Sequence, residues 1–157
     1  MTDATTLVLG LGNPLLGDDA IGWRVVEAVR DRRGDAPGVE VATAALGGLA
    51  LMERMAGYRR VILVDAMTTG THPPGTVLCF PLSDLPDRTC GHVTSAHDAN
   101  LPTALAVGQR LGVPLPVEIH VVAVEAARIH DFTEALTPAV AAAIEPAVAA
   151  VLEILDR

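Results

Sequence analysis

The sequence predicts an α/β fold, a mostly parallel sheet with helices on both faces and one strand running the other way. Three observations carry that expectation. Short aliphatic runs (Leu7 to Leu9, Val61 to Val64, Val121 to Val124) alternate with stretches of helical spacing, the signature of βα units. Half of the residues are apolar but only 3% are aromatic, so the core must be built from Ala, Val, Leu and Ile in closely packed layers. One pair of strand-like runs is joined by a turn too short for a crossover helix. A chain of 157 residues suffices for a single domain, 1–157, that buries roughly two-thirds of its unfolded surface.

Residues 6–11 form the first expected strand, which empties into a glycine-rich turn at Gly10, Gly12 and Asn13. A second turn through Pro14 and Gly17 leads to Asp18 and Asp19, just before a helix over residues 20–33. Ile21, Val25, Val26 and Val29 stand on one face of that helix, and Gly34 is placed to stop it. Residues 39–43 read as a strand near an edge. Gly47 and Gly48 open a second helix over 49–56, closed by Gly57. The run 61–64 suits burial on both faces and is expected to stop at Asp65. Residues 68–75, with Gly70, Pro73 and Pro74, make a turn, and 76–80 returns as a strand expected to pair with its predecessor as a hairpin. Residues 83–96 are polar, contain Pro86, Cys90 and Gly91, and read as a mobile loop. Asn100 is a good N-cap for a third helix that Gly112 closes. Residues 117–124 form the last strand, with Glu125 at its end. Thr137 is expected to cap a final helix with Pro138 at its first position, and Pro146 to kink or break it.

A net charge of −8 and a pI near 4.9 argue against a nucleic-acid backbone as partner, because such proteins present a basic face. Arg30, Arg32 and Arg33 read as the basic end of a helix. Cys79 and Cys90 form no CxxC pair and read as an apolar strand thiol and a free loop thiol. The N-terminus has neither the early basic residues nor the long apolar run of a signal peptide. Glu145 and Pro146 interrupt the alanine-rich C-terminal stretch, so no membrane span is expected. A cytoplasmic location and a monomer are the expectations.

Strands joined by right-handed crossovers place their carboxyl ends along one edge, where such folds bind ligands. Asp18 and Asp19 follow the first strand, Asp65 the third and Glu125 the fifth. His97, in the turn before the third helix, is expected to reach the same edge. Two aspartates and a histidine make a donor set for a divalent metal of borderline preference such as zinc or nickel, with a position left open. The bland readings are that Asp65 caps a loop, that Asp18 only places charge at a helix N-terminus, and that His97 is a structural hydrogen-bonding residue. His72, His92, His120 and His130 read as loop or strand histidines.

The segments GLGNPLLGDDAIG, VILVDA and TSAHDANLPTAL, with the alanine-rich tail 137–155, together resemble the hydrogenase maturation endopeptidases. The likeness spans essentially the whole chain. It implies a three-layer αβα fold whose twisted five-stranded sheet carries one antiparallel edge strand. It also implies an endopeptidase that removes a short C-terminal extension from the large-subunit precursor of a nickel-bearing hydrogenase. The family's nickel-recognising positions fall on Asp19, Asp65 and His97, which are therefore the candidate catalytic and metal-binding residues. The nickel is carried by the substrate, so the free enzyme's metal site is expected to be empty. Asp19 stands where some members have Glu, one methylene shorter in reach. Where many members have an Asp-Gly-Gly-Thr loop after the second strand, this chain has Thr43-Ala44-Ala45-Leu46-Gly47-Gly48, which lacks the acid.

Three rival readings stand beside this one. A dinucleotide-binding module would need glycine where Leu15 stands. A peptidyl-tRNA hydrolase is suggested by the string GLGNP, but the acidic charge opposes it. A non-catalytic assembly chaperone would use the same Asp19, Asp65 and His97. There is no HExxH helix and no Ser-His-Asp order; for the peptidase the resemblance suggests a substrate metal that orients the peptide bond while a carboxylate activates water.

Overall fold

The structure, a computed structural model, describes residues 4–84 and 100–157. Five strands, β1 (Thr6–Leu11), β2 (Val39–Ala44), β3 (Arg60–Met67), β4 (Val77–Pro81) and β5 (Glu118–Glu125), form one sheet in the order β2-β1-β3-β5-β4. β1, β2, β3 and β5 are parallel, and β4 is the antiparallel edge. The helices are α1 (Ile21–Arg33), α2 (Gly48–Met55), α3 (Leu101–Arg110), α4 (Pro138–Ala142) and α5 (Ile144–Leu155).

Strand alternation sorts the aliphatic residues into two layers. Leu7, Leu9, Leu11, Leu63 and Val121 face Leu51, Met52 and Met55 of α2 and Leu101 and Ala104 of α3. Val8, Ile62, Val64, Val122 and Val124 face Val25, Val26 and Val29 of α1 and Ala147, Val148, Val151 and Ile154 of α5. The three-layer αβα architecture is thus as expected. The stretch 138–155 is by length and composition apolar enough to cross a membrane, yet one face of it is the outer wall of the second layer.

Two expectations need correction, and a third, the break caused by Pro146, is met one turn upstream of the proline. β4 does not form a hairpin with β3; it pairs with β5, Val77 opposite Val124 and Pro81 opposite His120. The aliphatic run of β5 is buried on both faces and takes a neighbour on each side. The β3–β4 connection therefore crosses the end of β5, a span of about two strand spacings, or ~10 Å. β3 also continues past Asp65 to Met67, because β5 offers it ladder partners as far as Glu125. In the C-terminal region the helix breaks at Ala143, and Pro146 sits inside the first turn of α5. Proline lacks the N–H that would bond to Ala142 four residues earlier and its ring crowds that carbonyl, so the interruption falls upstream of the proline.

α1 lies unusually close to the sheet. A Cβ on Gly22 would come within 2.3 Å of the Leu11 carbonyl oxygen and 2.4 Å of that of Val64, and one on Gly10 within 2.4 Å of the Gly22 oxygen. Only bare backbone allows the first turn of α1 to rest across β1 and β3. Between those two neighbours the strand order reverses: β1 leads through α1 on one face to β2, whereas β3 leads the other way along the sheet, through β4 and then α3 on the opposite face, to β5. Such a switch point opens a crevice at the carboxyl ends, the usual ligand position in open α/β sheets.

Candidate active site

The crevice is edged by the loop after β1. Asn13 makes a turn, its side-chain oxygen accepting from Leu15 N (3.0 Å) and its carbonyl from Leu16 N (3.2 Å). A 3-10 turn, Gly17–Ala20, follows and lies against β3. Asp19 sits in it, 7% exposed, and its Oδ2 accepts from the Asn13 backbone N–H at 2.8 Å. Gly12 makes this closure possible. Its φ is +141°, and an added Cβ would fall 1.9 Å from the Asp19 carbonyl oxygen. The Trp23 indole N–H donates to the Ala44 carbonyl (3.1 Å), as does Gly12 N (3.2 Å), which anchors the start of the 43–48 stretch beside the same loop.

Asp65 is fully buried in β3. It stands one residue beyond the last β1–β3 pair, Gly10 with Val64, and opposite Ala123 of β5. One of its carboxylate oxygens accepts from Ala66 N at 2.9 Å. Asp65 thus stands where β1 no longer pairs with β3, and the turn carrying Asp19 lies against the same strand.

The other two acids of this edge do different work. Asp18 is completely buried and is not a helix-terminal charge. Its Oδ2 accepts from Ala127 N and Arg128 N, both at 2.9 Å, and its Oδ1 from Thr137 N at 2.7 Å. The Thr137 hydroxyl donates between the two oxygens at 3.0 and 2.9 Å. Four donors fill the four lone-pair sites of a carboxylate, leaving none for a metal. Thr137 is the N-cap of α4 by position, yet its side chain makes no cap bond, because it serves Asp18. Glu125 is 2% exposed. It accepts from Gly70 N (2.7 Å), the Thr69 hydroxyl (2.8 Å) and Thr69 N (3.3 Å). It ties down the connection that crosses the end of β5.

Of the three expected site residues, Asp19 stands in the turn after β1 and Asp65 in β3, the strand against which that turn lies. His97 lies outside the described residues, as do Cys90, His92 and most of the 83–96 stretch, of which residues 83 and 84 belong to a 3-10 turn, Leu82–Asp84. Among the described residues no group of three His, Cys, Asp or Glu side chains is gathered to hold a metal ion. Asp19 and Asp65 supply oxygen donors, and an imidazole would complete a set suited to a borderline divalent metal. His120 lies in β5, and His72 in the β3–β4 connection. The roles of Asp18 and Glu125 escaped sequence reasoning; their partners lie up to 119 and 56 residues away, and no local pattern signals them.

Beside the crevice, Thr68 and Gly70 face residues 126–131 across an open cleft of about 450 Å³. Arg128 pairs with Asp131 (3.3 Å) on its outer wall.

The sequence profile described as hydrogenase maturation protease matches residues 23–154. The chain belongs to the hydrogenase maturation protease family. It is 34% identical over 149 residues to the hydrogenase 2 maturation protease of Escherichia coli (strain K12), covering 95% of this chain and 89% of that one. Its fold is similar to that of the hydrogenase maturating endopeptidase HybD from E. coli, with a TM-score of 0.77, 32% identity, and coverage of 99% and 93%. The [NiFe] hydrogenase maturation protease HybD from Thermococcus kodakarensis superposes with a TM-score of 0.72 at 25% identity, covering 98% and 99%. As a member of this family the chain is an endopeptidase.

Proposed function

We propose that this endopeptidase removes a C-terminal extension from a [NiFe] hydrogenase large-subunit precursor that already carries its nickel. Asp19, Asp65 and His97 receive the substrate's nickel, and through it the enzyme recognises that the precursor is ready to be cut. The observation that carries the reading is the placement of two acids at the carboxyl ends of neighbouring strands: the 3-10 turn that bears Asp19 lies against β3, where Asp65 stands one residue beyond the last β1–β3 pair. Asp18 and Glu125, at the same edge, accept from the backbone of residues 127, 128 and 137 and of residues 69 and 70, and so hold those segments in place.

The chemistry is hydrolysis. Water adds to the scissile carbonyl and gives a proton to a carboxylate at the crevice. The C–N bond then breaks, and the departing amine takes up a proton. A metal held between protein carboxylates and the substrate orients the peptide bond and polarises groups bound to it. The narrow packing of α1 on β1 and β3 fixes where Asp19 stands relative to Asp65, and such positioning is a large part of any enzyme's advantage.

The test is the intact mass of a nickel-loaded precursor after incubation with the protein, beside a nickel-free precursor and an Asp65→Asn variant. Loss of a C-terminal peptide only with nickel and with Asp65 intact is expected. Cleavage that proceeds equally without nickel, or equally with Asp65→Asn, contradicts the proposal.

A further inference from the structure

We infer that Leu15 and Phe132 form an apolar ridge on the rim of the crevice that docks an apolar stretch of the precursor large subunit. The inference rests on the substrate proposed above and adds the surface that binds it. Leu16 and Thr133 form a parallel β-bridge, so Leu15 and Phe132, each one position earlier, sit on adjoining segments. A bridge holds the two backbones about 4.8 Å apart. Backbone bonds fix the pairing on both sides: Thr133 N donates to the Leu15 carbonyl at 2.9 Å, and Gly17 N to the Thr133 carbonyl at 2.8 Å. The Asp18 carboxylate pins residues 127, 128 and 137 to the same turn. The ridge is therefore held on a tied backbone rather than on a free loop.

Phe132 is 83% exposed and Leu15 43%. The chain has only two phenylalanines, one tryptophan and one tyrosine. Trp23 donates to the Ala44 carbonyl, Tyr58 is buried and bonded to Glu40, and Phe80 packs on the α2/α3 layer. Phe132, unlike Tyr58 and Phe80, takes no part in either hydrophobic layer. An isolated exposed apolar residue needs no explanation. Two on adjoining segments, on backbone tied by a buried carboxylate, are anchors of the kind that dominate binding energy. The ridge is continuous with the crevice. Leu15 belongs to the turn whose Asn13 N–H holds Asp19, so a chain presenting its metal and scissile bond to Asp19 and Asp65 passes over it. That continuity selects the precursor as occupant over a second copy of this protein.

The experiment measures cleavage against precursor concentration for wild type, Phe132→Ser, Leu15→Ser and the double variant, with Asp65→Asn in parallel. Burying one such side chain raises affinity roughly ten- to hundredfold, and an interaction made equally in ground and transition states appears in KM. The single variants are expected to raise KM roughly tenfold or more and the double variant further, with kcat moving less than twofold and thermal stability retained. A double variant whose KM stays within twofold of wild type overturns the inference. So does sedimentation showing a wild-type dimer that the double variant dissociates while KM is unchanged, because the occupant is then a second copy. Wild-type cleavage by Asp65→Asn refutes the proposed site instead and leaves the KM comparison to be read on its own.

Discussion

Replacing Asp18 by Asn tests whether this carboxylate is a structural clamp rather than part of the reacting site. Asn has one acceptor oxygen and an amide that can only donate. If the oxygen occupies the Oδ2 position it still accepts from Ala127 N and Arg128 N, but the amide then meets the Thr137 N–H donor to donor. If the amide is reversed, both other backbone donors lose their partner. At least one buried N–H is left unpaired, at about 1–3 kcal/mol, and the surviving bonds lose their charge assistance, about 1 kcal/mol each. The expected destabilisation is about 3–5 kcal/mol, large for a single substitution. Each kcal/mol shifts Tm by roughly 2–4 °C at this length, so the melting temperature falls by about 10 °C or more. Urea unfolding followed by circular dichroism measures it. Thr137→Val, which removes the hydroxyl alone, costs about 1 kcal/mol, and Thr137→Ser stays near wild type. An Asp18→Asn protein within about 1 kcal/mol of wild type refutes the reasoning.

Gly22→Ala drives a methyl into the Leu11 and Val64 carbonyl oxygens; lifting α1 from the sheet costs about 3 kcal/mol or more in the same unfolding assay. Glu125→Gln puts an amide against the Thr69 or Gly70 donors and loosens the 68–70 connection, lowering stability by about 1–3 kcal/mol with faster amide exchange at Gly70. The Tyr58 hydroxyl bond holds the Glu40 carboxyl below its ordinary value of 4.5, against the opposing effect of burial and with further help from Arg54. A lowered carboxylate pKa contributes stability that is full above the unfolded value and is lost as pH falls through the folded one. The advantage of wild type over Glu40→Gln is therefore expected in full at pH 7 and is lost progressively as pH falls below the ordinary value of 4.5 and through the lowered folded one; an advantage unchanged at low pH contradicts the sign.

The sheet was legible where burial acts locally. The runs at Leu7, Val61 and Val121 are aliphatic on both faces, so each announces an interior strand, and glycines mark the turns between them. Strand adjacency is not local. The short connection after β3 suggests a hairpin, and only the two-sided burial of β5 explains why that strand slips between β3 and β4. At the site, chain order and crossover handedness were enough to bring Asp19 and Asp65 to one edge. They could not separate Asp19 from Asp18, two adjacent carboxylates whose roles differ because one meets the 127–137 segment and the other the Asn13 turn. Glu125 shares that edge by chain order alone, and only its donors at Thr69 and Gly70 show that it holds the 68–70 connection.

The most direct test of the proposed chemistry is the nickel K-edge X-ray absorption spectrum of the nickel-loaded precursor, freeze-trapped with the protein before turnover. The account predicts that nickel gains oxygen and nitrogen neighbours on complex formation, and that the oxygen contribution falls when Asp19→Asn and Asp65→Asn are combined. A nickel environment unchanged by the wild-type protein, in a mixture that goes on to cleave, would contradict it.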